Sequence, residues 1–177
     1  MESQDHLNLT EFKKHIETNK KAWNKRTPIH IKSNFYNNEQ FKKGKNSLKS
    51  IELNAVGDVK GKSLLHLQCH FGQDSISFAR MGATVTAVDF SDVAINEAKK
   101  ISEEINVSVN FIENNVLELK LNQEFDIIFS SYGVIGWLPD LDKWASTIAN
   151  HLKKGGMFLL TEFHPFLELI KDNGYDY

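Results

Sequence analysis

Apolar positions along the chain follow two rhythms. Ser63–Cys69 and Glu124–Ser130 are short, nearly unbroken apolar runs closed by turn residues, the pattern of strands covered on both faces. Thr84–Asp89, Val107–Ile112 and Met157–Phe163 read as three further strands. Between the strands, apolar residues recur at helical spacing. Gln73–Met81 carries Ile76, Phe78, Ala79 and Met81. Ser91–Glu104 carries Ile95, Ala98 and Ile101, with Ser91 or Asp92 as cap. Asp140–Leu152 carries Leu141, Trp144, Ile148 and Leu152, and Gly155-Gly156 is expected to break it. Upstream, Thr10–Lys25 shows a stripe of Phe12, Ile16 and Trp23. It is expected to start on a Thr10 cap and to end at Arg26-Thr27-Pro28. Ser47–Leu53 reads as a short helix leading into turns at Gly57-Asp58 and Gly61.

The most informative stretch is Ser63 to Ser91. It orders strand, turn (His70-Phe71-Gly72), helix, a terminating Gly82, and a second strand that ends in Asp89. Such a turn lies at the carboxyl end of a parallel sheet beside a helix N-terminus, where backbone N–H groups can receive a carboxylate or phosphate. An acid ending the second strand can accept from both hydroxyls of a ribose. The pattern therefore points to an adenosine-containing ligand; the plainer reading is an ordinary turn with a solvated Asp. A dinucleotide site wants G-x-G-x-x-G, whereas the turn reads Gln68-Cys69-His70-Phe71-Gly72. With one glycine a pyrophosphate cradle is disfavoured, and a smaller, amino-acid-like tail fits better.

On these residues, LLHLQCHFGQDSISFARMGATVTAVDFSDVAINEA, the chain resembles the cofactor-binding half of class I S-adenosylmethionine-dependent methyltransferases. The resemblance runs from about Leu48 to Pro165. It departs from the family's first motif in three places: His66 stands where an acid is usual, and Gln68 and His70 where glycines are usual. Gly72 and Asp89 match. The resemblance implies an α/β three-layer sandwich with a mainly parallel, Rossmann-like sheet. It implies S-adenosylmethionine as cofactor, held by Gln68, His70 and Gly72 in the turn, then Asp89, Phe90, Asn115 and Ser131. Asn115 aligns with a residue that touches the adenine amino group, and equally suits a turn. Phe125-Asp126 resembles the start of the family's fourth strand, and LKKGGMFLLTEFHP its passage into the fifth. Tyr132, beyond Ser131, is placed by the resemblance near the transferred methyl, and Trp137 reads as packing.

Composition changes this picture little. With 177 residues and one cysteine, Cys69, the chain suits one domain without internal disulfides, which fits a reducing cytosol. The net charge of −2 excludes a globally basic nucleic-acid binder. Up to Lys62 the chain has thirteen Lys and Arg against seven Asp and Glu, so a basic arm precedes an acidic body. The arm, residues 1–62, is expected to serve as a lid over the 63–177 domain, with Trp23, His30, Phe35 and Tyr36 as wall residues or as staples to the core. No apolar run approaches the roughly 20 residues of a bilayer span, and MESQDHLNLT has no leader pattern; a cytoplasmic, membrane-free protein is expected. The histidines and Cys69 show no standard metal-ligand spacing, and neither G-x-S-x-G nor a P-loop occurs.

The expected activity is methyl transfer from S-adenosylmethionine to a small-molecule acceptor, with nucleic acid disfavoured as a partner. His164, Glu162, Tyr132 and His70 are candidates for a general base. The runner-up is a cofactor-binding module without catalysis of its own, working with a partner chain; a nicotinamide oxidoreductase ranks third. His66 and His70 predict a loss of cofactor affinity near pH 6.5. The family's sheet has seven strands and the sequence shows five. Strand five is thus expected at an exposed edge, open to self-association or to completion by a missing part of a longer enzyme.

Overall fold

β1 (Ser63–Leu67) is the centre of the molecule. Leu64, Leu65 and Leu67 are fully buried, and their alternation sends Leu64 to one apolar cluster and Leu65 and Leu67 to the other. The computed structural model describes residues 9–164. In chain order these form α1 (Leu9–Lys32), α2 (Asn38–Lys42), α3 (Ser50–Val56), β1, α4 (Gln73–Arg80), β2 (Thr84–Asp89), α5 (Asp92–Glu104), β3 (Asn110–Glu113), β4 (Phe125–Ser131), a 3-10 turn at Ile135–Trp137, α6 (Leu141–His151) and β5 (Leu152–Thr161).

The sheet order is β3-β2-β1-β4-β5, and every neighbouring pair is parallel. Phe78 of α4 and Ile95, Ala98 and Ile101 of α5 pack on one face with Leu64, Val85, Ala87 and Ile127. Trp144 and Ile148 of α6 pack on the other with Leu65, Leu67, Val88 and Ile128. Helices thus cover both faces, and the direction of winding reverses between β1 and β4. In a doubly wound sheet that reversal opens a crevice at the carboxyl ends of these strands. The expected three-layer α/β fold is the one observed, and β5 is an edge of the sheet among the described residues.

Several element limits differ from expectation for physical reasons. α1 is already helical at Leu9, so Thr10 lies inside it, and it continues through Pro28 to Lys32. Proline removes one helical hydrogen bond, but Trp23, Asn24 and His30 are all anchored on the body of the protein, and these contacts hold both sides of the break together. α2 carries no periodic signal because it is five residues long; the burial of Phe41 fixes it. α3 starts at Ser50 instead of Ser47. Ser47 is engaged with the Ser77 hydroxyl at 2.9 Å, and the Glu52 carboxylate caps the helix by accepting from the Lys49 N–H at 2.7 Å.

β3 is shorter than expected at its start, because Val107 is tied back to Ser102 by a backbone bond of 3.0 Å and by the Ser102 hydroxyl. α6 runs directly into β5, which begins at Leu152, so Gly155-Gly156 does not separate them. The glycines instead absorb a register shift, with Leu152 pairing Phe125 and Met157 pairing Ile127. A Cβ on Gly156 would stand 2.9 Å from the Lys153 carbonyl. No helix among the described residues is long and apolar enough to cross a membrane.

Candidate functional site

The turn after β1 carries three left-handed residues at alternate positions: Gln68 (φ 58), His70 (φ 50) and Gly72 (φ 79). Gln and His are uncommon in this region, and each carries a conformational cost there. The loop thus takes a glycine-like path with only one glycine. Gly72 is the position with no alternative. An added Cβ would meet Phe111 at 2.6 Å and Ala98 Cβ at 3.1 Å, on a backbone already at positive φ. We expect Gly72→Ala to destabilise the protein by about 2 kcal/mol or more, read as a lower urea midpoint. An unchanged midpoint would show that the Phe111 ring yields freely.

Asp89 closes β2 beside this turn. Its carboxylate accepts from the His70 N–H and the Ser91 N–H, each at 2.8 Å, and the residue is 6 % exposed. Burial pushes its carboxyl up to about 6, against the pull of the Ser91, His70 and Phe90 N–H groups and the Lys20 ammonium. The acid therefore shapes the turn as well as facing it. A carboxylate offers about four acceptor positions, so capacity remains for a ligand's hydroxyls. Phe90 follows, half-buried, at the strand tip.

The other expected residues are distributed along the same sheet edge. Gln68 donates to the Val134 carbonyl at 3.3 Å and accepts from the Ser130 hydroxyl at 3.3 Å, which ties the β1 turn to β4. Ser131 ends β4 and its hydroxyl donates to Asp74 at 3.1 Å. Asn115 accepts from the Leu117 N–H at 3.1 Å through its amide oxygen. That is the turn-forming role, and it leaves the amide N–H₂ and one lone pair for anything else.

α1 roofs this edge. Lys20 bridges Glu113 at 2.7 Å and Asp92 at 3.4 Å; Asn24 donates to Asp92 at 2.9 Å and accepts from the Ser91 hydroxyl at 2.6 Å. Asn19 donates to the Trp137 carbonyl at 3.1 Å, and Trp23 packs edge-on against Trp137 and His70. His30 Nδ1 and His70 Nε2 share a hydrogen bond of 2.9 Å, and Tyr36 stacks on His30. Trp23, His30, Tyr36 and Trp137 thus gather over the turn, whereas Phe35 is 73 % exposed, with its ring edge-on to Tyr36. Burial holds His66 and His70 down at about 3, with His30 adding to the effect at His70, so both are neutral at physiological pH.

Each base candidate has a defined setting. Glu162 accepts the Val134 and Ile135 N–H groups at 2.9 and 3.3 Å and also that of Gly133, so it organises the loop after β4. The Tyr132 hydroxyl donates to Glu52, a residue 1 % exposed, and the Lys49 ammonium lies 4.5 Å from the Tyr132 ring. His70 is engaged by His30 on one nitrogen, and its Nδ1 is buried without a partner. His164 is exposed. Sequence reading missed Asp74, Glu52 and the His30–His70 pair. None belongs to a spacing pattern, and each acquires its meaning only when separate segments meet. Among the described residues no group of three or more His, Cys, Asp or Glu side chains is arranged to hold a metal ion.

The turn can receive a polar ligand. It has an orphaned buried nitrogen on His70, three left-handed residues at alternate positions, and a carboxylate with spare acceptor capacity. Residues 64–156 match the family model described as "Methyltransferase domain". An uncharacterized methyltransferase of Synechocystis sp. is 29% identical over 124 residues, which are 68% of this chain and 56% of that protein. The DhpI–SAH complex superimposes with a TM-score of 0.64 at 17% identity, covering 83% of this chain and 68% of that one. The glycopeptide N-methyltransferase MtfA complexed with S-adenosyl-L-methionine gives 0.55 at 22% identity, covering 62% and 51%. The chain spans about half the length of the curated relatives it matches. With the family model covering more than half of its residues, the chain belongs to the methyltransferase-domain family, and it shares its fold with structures solved with S-adenosyl-L-methionine or SAH bound.

Proposed function

We propose that this chain binds S-adenosylmethionine at the carboxyl ends of β1, β2 and β4 and methylates a small-molecule acceptor. The observation that carries the reading is the turn itself. Gln68, His70 and Gly72 keep the left-handed path that a glycine-rich motif would give, and Asp89 holds that path through the His70 N–H. A chain that merely resembled the family would have no reason to maintain that conformation against the preferences of Gln and His.

In this reading Asp89 receives the ribose hydroxyls, the turn receives the amino-acid portion, and Phe90 and Asn115 border the adenine. The cofactor's sulfonium supplies an already activated methyl, so the protein's part is alignment and exclusion of water. Ser131 at the β4 tip borders the cofactor's amino-acid end, and Tyr132 beyond it faces the transferred methyl. α1 and the segment through Tyr36 act as the lid. Trp23, His30 and Tyr36 pack against His70, so these rings part when the cofactor enters and reclose over it. Among the described residues no strand pairs with the outer edge of β5, and this edge, with Met157 40 % exposed, would suit a second copy or further chain.

The test is calorimetric titration with S-adenosylhomocysteine and, in parallel, NADH, followed by incubation with methyl-labelled cofactor and a metabolite extract. Binding of the first ligand alone and label in a small molecule are expected. Binding without transfer would favour the module reading, and preference for NADH would overturn the assignment.

A further inference from the structure

The expected acid on β1 is replaced by His66, which is fully buried, neutral, and bonded through Nδ1 to the Ser75 hydroxyl at 2.7 Å. It offers no negative charge to a ligand's ammonium. A carboxylate does stand at the site, but it comes from another element. Asp74 lies in the first turn of α4, two residues after Gly72. It accepts from the Ser131 hydroxyl at 3.1 Å and from the Ser47 side chain. Both partners are neutral hydroxyls. Among the described residues no cationic group lies within ion-pair distance of it; the Lys49 ammonium acts only from farther away, and Tyr36 and Cys69 also feel its charge. Burial raises its carboxyl above the ordinary range. Asp74 is half-buried, and a partly desolvated carboxylate without an ion-pair partner is costly, a cost that falls when a ligand brings the cation.

Its position suits one cation in particular. β2 and β4 flank β1 on opposite sides. Asp89 at the β2 tip and the Asp74–Ser131 pair at the β4 tip therefore bracket the β1 turn. A ligand whose ribose sits on Asp89 and whose chain crosses the turn ends at Asp74. We propose that Asp74 receives the ammonium of the cofactor's amino-acid end, supplying from α4 the charge that β1 lacks. This rests on the cofactor reading above.

The test compares two ligands on the full chain, wild type and Asp74→Asn. S-adenosylhomocysteine carries the amino-acid end; 5′-methylthioadenosine has the same adenosine and thioether without it. The Asn variant keeps the shape and an acceptor for Ser131. We expect S-adenosylhomocysteine to bind the variant about ten- to a hundredfold more weakly, with 5′-methylthioadenosine unchanged. Equal weakening of both ligands would assign Asp74 to upkeep of the fold, and no weakening of either would remove it from the site; both overturn the proposal. If both ligands bind wild type and the variant still binds S-adenosylhomocysteine as tightly as wild type does, only the Asp74 assignment fails. If wild type binds neither ligand, the cofactor reading itself fails and this assignment with it.

Discussion

Asp89→Ala is expected to lose stability and cofactor affinity together. The carboxylate accepts two backbone N–H groups, from His70 and Ser91, at a residue 6 % exposed. Alanine leaves both donors without a partner in the interior, at about 1–3 kcal/mol each, so a loss of about 2–6 kcal/mol is expected. The damage has a direction. Without the His70 bond the left-handed His70 backbone loses one of its ties, leaving the Gly72 N–H bond to the Cys69 carbonyl (3.0 Å) across it, and the turn is freer to relax. Without the Ser91 bond the cap of α5 loosens, although the Ser91 hydroxyl still accepts from the Ala94 N–H at 3.1 Å. Affinity for S-adenosylhomocysteine is expected to fall at least ten- to a hundredfold, the worth of one charge-assisted hydrogen bond. Urea unfolding and calorimetry read the two effects separately. Unchanged affinity in a destabilised variant would make Asp89 a purely architectural residue.

What the sequence disclosed and what it withheld follow from how local each signal is. The βαβ unit is legible because its strands are continuous apolar runs and its helix has a single apolar face, features that burial on both sides of a sheet demands. Asp89 is legible because the end of β2 is fixed by Gly82 and by the run Thr84–Val88. The left-handed backbone at Gln68 and His70 is not, since neither residue advertises it; only their register against a glycine motif hints at it. The continuation of α1 through Pro28 is equally hidden. Proline is a strong local stop, and the anchors that override it reach Asp92, His70 and Trp137, from 68, 40 and 118 residues away in sequence. The roles of Glu162 and Asn115 were ambiguous for the same reason. A carboxylate or amide at a loop reads alike whether it meets a ligand or a backbone N–H, and the structure shows the backbone N–H groups.

Cofactor affinity is expected to fall as pH drops through about 6, and the responsible group is Asp89, not a histidine. The sequence places His66 and His70 in the site and thereby suggests a loss near 6.5. Burial changes that: both imidazoles stay neutral down to about 3 and contribute no titration in the useful range. His30 is also lowered, by burial and by Arg26. Asp89 moves the other way, from 3.8 to about 6. Because its folded value is raised, the protein without ligand gains from keeping Asp89 protonated. That contribution is complete below about pH 4 and is lost as pH rises through 6, at about 3 kcal/mol for a shift of about two pH units. Ligand binding has the opposite sign. The charged carboxylate accepts most strongly from ribose hydroxyls, so affinity is full above about pH 7 and declines about tenfold per unit below 6. Titrations with S-adenosylhomocysteine from pH 5 to 7 check this. Asp89→Asn should flatten the profile, while His66→Gln combined with His70→Gln should keep its slope. A wild-type profile flat through pH 6 would contradict the assignment, and a slope abolished by the histidine substitutions would return the titration to the imidazoles.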